Sequence, residues 1–526
     1  ILVLGNGLFS TLLAVRMGAE SFPVDRIGII MAAYSVGFVL GTLRGPVVVE
    51  RVGHIRAFAA FAALAAISAL VHAIVVDQIV WLLLRVVAGF CLAGLFTITE
   101  SWINASSSNT VRGRVLSVYM TVNYLSLGAS QSLITVIDPN GFEIFSLVAI
   151  LVALSLVPLA LSRVQSPGTV GTNRLRVIEI VRISPLGVAG CIGAGLINGA
   201  FGSMGPVYVQ ARGGTVEDVG LFMMVAILSG FLMQFPMGRL SDRFDRRTVF
   251  LGAIAGVSAA AVALAFADDV PNLAFAAMLG LYGGLAYSIY PIALAHANDF
   301  MSSDEVVPAS AGLLLMFGVG SVVGPVLASQ VMGVLGFNGL FFYIGSIAGV
   351  LVLFTLYRMT ARQAKPLEEQ GAFVPMPQTA TTPIALELNP RAEAAGQAFT
   401  PMYLRRSLTL LVIGCPGALV ISIPVAIVAG IGRGAKDGVL IKGGEFLERS
   451  AKVDAVAVDK TGTLTSGTPE LTDVVAFEPG AEDEVLRWAA RLEAASDHPL
   501  AAPVVAAGRD RGLLDGPLAT DVDVVL

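Results

Sequence analysis

The sequence predicts an all-α polytopic membrane protein that carries a smaller α/β segment near its carboxyl end. Of its 526 residues, 55% are hydrophobic and 13% are charged, which is about half the charged share of soluble domains. A soluble core does not need so much apolar surface. Apolar runs also recur along the first 360 residues, each close to the roughly 20 residues that a helix needs to cross the hydrocarbon layer. We therefore expect the lipid bilayer to surround most of the chain.

Twelve of these runs are long enough to span the membrane as helices. A basic connection over residues 163–184 divides them into two sets of six, which predicts an N-terminal half over residues 1–162 and a C-terminal half over residues 185–358. The twelve runs lie near residues 1–19, 28–46, 57–76, 79–99, 115–136, 142–162, 185–208, 218–237, 248–267, 272–295, 308–334 and 338–357.

Arginines are concentrated in alternate connections between the runs, for example Arg51 and Arg56, then Arg112 and Arg114. The intervening connections carry mostly acids, such as Asp77. Because arginine-bearing loops face the cytoplasm under the positive-inside rule, we expect a multi-pass membrane protein with both ends of the twelve-helix unit in the cytoplasm. A net charge of −5 without a basic cluster offers nothing to a phosphate backbone, so no nucleic-acid partner is expected.

The two halves carry a related loop at the same place, after their second helix. An acid stands beside an arginine in each loop and further arginines follow, which is an internal repeat. Repeats of this kind imply two halves that rock around a central site, and we expect both loops to act as gates. The candidate gating residues are Glu50, Arg51, Gly53 and Arg56 in the first loop and Gly238, Asp242, Arg243, Arg246 and Arg247 in the second.

These motifs resemble the major facilitator superfamily over essentially all of residues 1–360. The second loop is similar to the family's signature Gly-x-x-x-Asp-Arg-x-Gly-Arg-Arg, with Asp245 where the family favours glycine. In the first loop, Pro46 stands where the leading glycine of the signature is expected. The fourth helix carries Arg85-Val86-Val87-Ala88-Gly89, like the family's Arg-x-x-x-Gly motif.

The resemblance implies a twelve-helix major facilitator fold in two pseudo-repeated six-helix halves. It also implies a secondary active transporter of a small solute in a bacterial inner membrane, which works by alternating access as a monomer, without a cofactor. Proton-coupled efflux is one form of this activity, and the resemblance leaves the substrate, the coupling ion and the direction of transport open.

Two ionisable residues of the fourth helix are candidates for transport. A charge inside the bilayer costs at least ~2.5 kcal/mol on insertion scales, so it is functional by default unless its side chain snorkels to water. Arg85 is the stronger candidate, with snorkelling as the alternative because it lies near the outer end of the helix. For Glu100, at the other end, we expect a solvated carboxylate or a pair with Arg112 or Arg114 rather than proton carriage.

Polar residues of several helices are candidates for a cavity at the midplane. Each of them alone is more often an interhelical hydrogen bond than a ligand. The three tyrosines are the most suggestive set, because a ring with a hydroxyl tip suits an amphiphilic substrate. The candidates are Asn6, Asn123, Gln131, Asn198, Gln234, Tyr282, Tyr287 and Tyr290.

The composition changes after the twelfth run. Residues 359–404 contain prolines with Thr, Glu and Gln and show no apolar periodicity, which predicts a disordered linker. Residues 405–431 are apolar again and predict one extra hydrophobic helix. Such a helix would start in the cytoplasm and carry residues 432–526 to the outer side of the membrane.

A nine-residue segment beyond this helix has its own chemistry: Ala457-Val458-Asp459-Lys460-Thr461-Gly462-Thr463-Leu464-Thr465. Residues 453–458 predict a short strand with Asp459 at its carboxyl end, where open α/β sheets place their active residues. An aspartate there can attack the γ-phosphate of ATP while Mg²⁺ neutralises charge. Asp459 is therefore a candidate nucleophile, and the resemblance of this segment to the phosphorylation loop of P-type ATPases makes Lys460 and Thr461 candidate catalytic residues beside it.

This segment resembles the phosphorylation loop of P-type ATPases, and residues 432–526 resemble a truncated phosphorylation and nucleotide-domain fragment of the heavy-metal class. His498 and Pro499 lie in a Ser-Asp-His-Pro run similar to the nucleotide-binding motif of that class. Cys415, within Cys-Pro-Gly, stands where the class holds a thiolate ligand for Cu or Zn. The Thr-Gly-Glu actuator loop of these pumps does not occur in the sequence. We therefore expect an inactive fragment, and Mg²⁺ and ATP as cofactors only if it is active.

Two alternatives to the secondary transporter follow from this segment. One is an ATP-driven heavy-metal pump, which would be an enzyme with Asp459 as phosphoacceptor. The other is a membrane-anchored sensor in which Asp459 is phosphorylated without pumping.

Overall fold

A computed structural model describes residues 1–105, 107, 111–161, 177–267, 270–302, 305–374, 381–388, 430–450, 453–455 and 457–516. The chain divides into two compact units, Ile1–Leu419 and Val420–Leu526. Each unit is described by itself.

The first unit begins with six membrane-length helical segments. The sixth segment is interrupted once, where α6 ends at Leu154 and α7 begins at Leu156, so that α6 and α7 together form one span. The helices of the N-terminal half are α1 (Leu2–Ala19), α2 (Val24–Val52), α3 (His54–Ile74), α4 (Gln78–Ala105), α5 (Arg112–Leu133), α6 (Phe142–Leu154) and α7 (Leu156–Ala160).

A short helix precedes the second half. Helix α9 starts at a proline, and the Ser184 hydroxyl accepts a hydrogen bond from the Gly187 N–H as its cap. Thr215 and Asp218 form a complete capping box at the start of α10. The helices are α8 (Val177–Ile183), α9 (Pro185–Ala211), α10 (Val216–Arg243), α11 (Arg246–Ala265), α12 (Asn272–Asn298), α13 (Val306–Leu335) and α14 (Gly339–Ala361).

All twelve predicted runs are helices in the structure. Eleven helical segments of the described chain are long and apolar enough to cross a membrane. Helix α5, with 22 residues, is as long but more polar, and it lies against α1 and α10. Its polar residues Asn123 and Gln131 are buried, so their amides face other helices rather than lipid. The chain is therefore a multi-pass, all-helical membrane protein.

Close backbone contacts hold each half together, and the α9–α13 pair shows why glycine is needed. A Cβ added to Gly195 would overlap the Phe317 carbonyl oxygen and lie 2.9 Å from the Ser321 backbone nitrogen. A Cβ on Gly320 would likewise overlap the Ile192 carbonyl oxygen. In lipid, helices associate through such close packing because burial of apolar surface provides little drive.

The two halves also touch each other directly at one end of the bundle. We name the end with the arginine-rich loops the basic end, and the opposite one the far end. At the far end, the Gln210 side chain donates a hydrogen bond of 3.1 Å to the Val15 carbonyl oxygen. Gly28 of α2 lies so close to α13 that an added Cβ would be 2.6 Å from the Pro325 carbonyl oxygen. The far end is therefore closed by direct contact between the halves.

The second unit is small and helical where it is described. A helix over residues 430–436 and three further helices, Gly444–Ser450, Glu482–Glu493 and Ala501–Asp510, are joined by irregular segments. The last two pack together, with Leu486, Ala490 and Ala501 buried. The predicted strand is wrong for residues 453–455 and 457–458, which have no regular structure. An isolated apolar run needs partner strands to satisfy its backbone groups, and none exists among the described residues.

Candidate functional site

A central cavity of about 190 Å³ lies between the two halves, many times the space that one water molecule needs. Helices α1, α2, α4 and α5 line it from one half, and α9, α10, α12 and α13 line it from the other. Most of the wall is apolar. The polar residues that give it chemistry include Asn6, Tyr34, Arg85, Gln131, Asn198 and Tyr287.

Arg85 is the only charged residue among the described residues that line this cavity. Its side chain is 2% exposed, so the guanidinium faces the cavity and does not snorkel to the exterior. The Tyr34 ring lies under it, with 4.6 Å between the ring centroid and Arg85 Cζ. Neither Nε nor Nη1 has a hydrogen-bond acceptor within the described chain.

The free-energy cost of burying the Arg85 charge exceeds what its neighbours in the protein return. Burying an ion costs several kcal/mol even after relaxation. A cation–π contact returns only about 0.5–2 kcal/mol. The Phe9 ring is farther, with 6.0 Å between its centroid and Cζ. The described residues therefore supply no counter-ion to Arg85 in this arrangement.

Four other predicted residues are part of the cavity wall: Asn6, Gln131, Asn198 and Tyr287. Gln131 accepts a hydrogen bond of 2.8 Å from the Thr11 hydroxyl, which links α5 to α1. The Asn198 side chain donates to the Ala286 carbonyl oxygen at 3.2 Å. Tyr287 lies against Tyr124, with ring centroids 6.3 Å apart. The structure thus brings Gln131, Asn198 and Tyr287 together with Arg85.

Several predicted transport residues lie outside the cavity wall. Asn123 donates to the Tyr119 carbonyl oxygen at 2.9 Å, and Gln234 donates to the Tyr124 hydroxyl at 2.7 Å. Tyr282 packs against Phe201 and Phe341. Tyr290 packs against Phe317, with ring centroids 5.1 Å apart. The tyrosine set is therefore divided: one ring faces the cavity and two belong to the helix packing.

Glu100 is not the solvated carboxylate that the sequence predicts. It is fully buried, and its oxygens accept hydrogen bonds from the Tyr119 hydroxyl at 2.9 Å and the Thr381 hydroxyl at 2.9 Å. The Thr382 backbone N–H donates at 3.0 Å, and the Thr382 hydroxyl also donates. An ionised carboxylate accepts hydrogen bonds only, and each of these partners is a donor.

Three of these four donors to Glu100 belong to the segment predicted as a disordered linker. Residues 381–388, here named the strap, include a 3₁₀ turn over Pro383–Leu388. The strap contacts α4 and α5 of one half and α13 of the other, and Thr381 lines the central cavity. Disorder is therefore wrong for this part of residues 359–404, because buried acceptors fix the polar chain. Residues 375–380 and 389–404 lie outside the described residues.

The second gating loop is fixed by the residues that precede the strap. Arg246 is buried and forms an ion pair with Asp299 at the end of α12. It also donates to the Gly371 carbonyl oxygen at 2.9 Å. Asp242 accepts a hydrogen bond of 2.7 Å from the Phe373 backbone N–H. Residues 371–373 thus hold the basic end of α10 to that of α12.

Within this loop, Arg246 rather than Arg243 contacts the acids: it lies 3.5 Å from Asp242 and pairs with Asp299. Arg243 is exposed, and the buried pair is Arg246 with Asp299, which no sequence pattern indicated. Arg247 pairs with Asp245 at 2.9 Å. Gly238 lies beneath the Phe373 ring, and a Cβ added to Gly238 would be 2.6 Å from the nearest ring carbon.

The first gating loop has a different environment. Glu50, Arg51 and Arg56 are exposed. Gly53 joins α2 to α3 with φ of 85°, a conformation that favours glycine. The two loops are related in sequence, yet among the residues after α14 that the structure describes, contacts are made with the second loop only.

The P-type-like residues that the structure describes lie on the surface of the second unit. Asp459, Lys460, His498 and Pro499 are exposed. The side chain of Thr461 and the whole of Cys415 lie outside what the structure describes, as does the extra helix over residues 405–429. Among described residues, no cluster of three or more His, Cys, Asp or Glu residues could hold a metal ion.

Comparison with known proteins gives a family match over most of the chain. The family model described as Major Facilitator Superfamily matches residues 1–233 and 213–443. The uncharacterized MFS-type transporter YcaD of Escherichia fergusonii is 26% identical over 358 residues, which cover 68% of this chain and 92% of that protein. YcaD of Escherichia coli strain 536 is 28% identical over 377 residues, with coverage of 70% and 95%.

Solved structures match the fold at low sequence identity. The nucleoside transporter NupG superposes with a TM-score of 0.59 at 14% identity, covering 69% of this chain and 97% of its own. A bacterial homolog of the human lysosomal transporter Spinster, in an inward-facing and occupied conformation, gives a TM-score of 0.56 at 15% identity, with coverage of 70% and 96%.

Proposed function

The chain belongs to the Major Facilitator Superfamily and is a secondary transporter, and on that premise we propose that the central cavity is its transport site. The cavity lies between two pseudo-repeated halves, where transporters of this construction bind their solutes. The observation that carries the proposal is Arg85, a buried charge that faces this cavity without a counter-ion in the described part of the chain. Intramembrane charges of this kind mark substrate or ion pathways.

We propose that the structure corresponds to the arrangement of the halves in which the far end is closed. The halves meet directly at the far end, through Gln210 and Gly28. At the basic end, the strap lies between α4, α5 and α13. Rocking of the halves would then open the far end and bring the basic ends together.

The positive-inside rule supports a cytoplasmic basic end, and we propose that both ends of the twelve-helix unit lie in the cytoplasm of a bacterial inner membrane. Proton coupling stays a prediction. No carboxylate is present among the described residues that line the cavity, so a coupled proton would have to bind elsewhere, and Glu100 of α4, whose buried carboxylate accepts hydrogen bonds from the strap, is the candidate.

Distance measurements between spin labels test alternating access without knowledge of the substrate. Labels at Ile79 and Leu273, both exposed at the far end, report on one face. Labels at Ile55 and Phe244, exposed at the basic end, report on the other. We expect two populations: in one the label distance is short at the far end and long at the basic end, and in the other the reverse. A single distance at both faces, across pH and solute conditions, would contradict the proposal.

The P-type-like segment leads to a second proposal, that Asp459 does not drive transport. Asp459 is exposed, whereas phosphoryl transfer needs positioned donors around the phosphate. We expect no acid-stable, hydroxylamine-sensitive phosphoprotein when membranes containing the full chain are incubated with γ-labelled ATP. The Asp459→Asn chain is the control. Labelling that depends on Asp459 would favour the pump or the sensor instead.

A further inference from the structure

The charge in the central cavity indicates the chemistry of its occupant. A guanidinium offers five N–H donors in a planar fork, which matches the oxygens of a carboxylate or phosphate. Nε and Nη1 of Arg85 are buried without an acceptor, and no acidic residue of the described chain lines the cavity. The missing acceptor is therefore expected to come from the molecule that fills the space.

The rest of the wall restricts the body of that molecule. Phe38, Met223 and Leu314 contribute apolar surface to the cavity. Asn6 lines it too, and its side-chain oxygen has no donor. We propose, resting on the transport site proposed above, that the solute is an organic anion with a carboxylate, sulfonate or phosphate head on Arg85 and an apolar body.

Other classes of solute fit these observations less well. A cation would be repelled by Arg85, and a neutral solute would leave its charge without a counter-ion. A small inorganic anion would pair with the guanidinium but would leave the apolar part of a cavity of about 190 Å³ unfilled. The head and the body therefore have to be tested separately.

Thermal unfolding of the purified full chain in detergent provides that test. Benzoate, benzamide and benzylamine share one ring and differ in the charge of the head. We expect benzoate to raise Tm with half-maximal effect at a concentration at least roughly tenfold below that of benzamide. Benzenesulfonate and phenylphosphonate extend the comparison, and chloride and inorganic phosphate test the head alone. The proposal would be overturned if none of the three organic anions raised Tm more than benzamide does. It would also be overturned if chloride raised Tm as much as the organic anions do.

Substitution of the arginine gives a readout that does not need a solute. Arg85→Met removes an unpaired buried charge, so we expect it to raise the Tm of the empty protein and to abolish anion protection. Arg246→Met is the matched control, because it removes a buried arginine that is paired with Asp299 and should lower Tm. Arg85→Lys keeps the charge without the fork and should retain weakened protection. A lower Tm for Arg85→Met would show that Arg85 has a structural role and would overturn the proposal.

The two proposals fail in different ways. If the spin labels show alternating distances while no anion protects the protein, the substrate class is wrong and the transport cycle stands. If the distances do not alternate, the transport site itself is wrong, whatever binds to Arg85.

A separate observation concerns the strap. It supplies three of the four hydrogen-bonding groups around the Glu100 carboxylate, and it contacts helices of both halves. Ala385 and Leu386 of the strap are buried. Upstream, residues 371–373 are bonded to Arg246 and Asp242 of the C-terminal half. The chain after α14 therefore bridges the two halves at the basic end.

We infer that the strap is an autoinhibitory plug that closes the basic end of the central cavity. Thr381 forms part of the cavity wall, so solute could reach the cavity from this end only after the strap leaves. Release of the strap would leave the fully buried Glu100 carboxylate without three of its hydrogen-bond donors. The state with the strap in place is therefore favoured.

Access of a thiol reagent from the basic end tests the plug. Ser321→Cys places a thiol in the cavity wall, in a background with the native cysteines replaced by serine. We expect a membrane-impermeant maleimide in inside-out vesicles to label it at least roughly tenfold faster when Thr381→Val and Thr382→Val are added.

Two further variants serve as controls for the plug. Thr360→Val removes an exposed hydroxyl on α14 and should leave labelling slow. Thr382→Ser keeps the donors and should restore the slow rate. Equal labelling rates with and without the two valines would overturn the plug. If the double variant does not insert, fast hydrogen exchange of the Thr382 amide in the unaltered chain would overturn it as well.

Discussion

Gly28→Val is expected to abolish transport while leaving the protein folded. Gly28 lies at the far end, where α2 meets α13, and an added Cβ would be 2.6 Å from the Pro325 carbonyl oxygen and closer still to the Ser329 hydroxyl. All three of its nearest atoms belong to α13, so the clash is between the halves and not within one of them. Overpacking costs about 1–3 kcal/mol, which shifts a two-state equilibrium by about 5–150-fold. The state with a closed far end should therefore be depleted.

Spin labels at Ile79 and Leu273 measure this shift directly. We expect the longer far-end distance to predominate in Gly28→Val. Gly333→Val is the matched control, because Gly333 is on α13 and an added Cβ meets no atom within 4 Å. An unchanged distance distribution in Gly28→Val, with normal insertion, would mean that this contact does not close the far end.

Gly195→Ala is expected to have the largest effect on folding. The added methyl would overlap the Phe317 carbonyl oxygen and lie 2.9 Å from the Ser321 backbone nitrogen. A backbone atom cannot rotate away as a side chain can, so α9 and α13 must separate and lose their packing. Overpacking of this kind costs about 1–3 kcal/mol or more, and we expect reduced yield and a lower Tm in detergent.

The control for this variant lies on the same helix. Gly202→Ala adds the same methyl at a position where nothing lies within 4 Å. It should leave Tm unchanged or raise it slightly, because alanine favours the helix over glycine by about 0.5–1 kcal/mol. Equal Tm values for Gly195→Ala and Gly202→Ala would show that the α9–α13 contact is looser than the structure indicates.

The sequence predicted the positions of the spanning helices because the bilayer imposes a simple rule. Each span has to be apolar for about 20 residues and must satisfy its backbone internally. Even the polar helix α5 followed this pattern closely enough to be placed. The paired loops after the second helix of each half likewise indicated two related halves, since an internal repeat is a property of the chain order alone.

Arg85 was predicted from the cost of a charge in the membrane, but its lack of a partner was not. Whether a guanidinium meets an acid, an aromatic ring or an empty space depends on residues such as Phe9 and Tyr34, which are remote in sequence. For the same reason the tyrosines could not be sorted from sequence: Tyr287 and Tyr290 are three residues apart, and only packing decides which ring faces the cavity.

The sequence by itself determined the class of the protein, its helices and its twofold organisation, because hydrophobic length and repeated motifs are written along the chain. The tertiary structure alone decided where the buried charges find partners. Glu100 meets Thr382, and Arg246 meets Asp299 and Gly371, across separations that no local pattern reports. A polar, proline-containing segment has no periodicity to predict its fold, and residues 381–388 are held in place here because the buried Glu100 requires their donors.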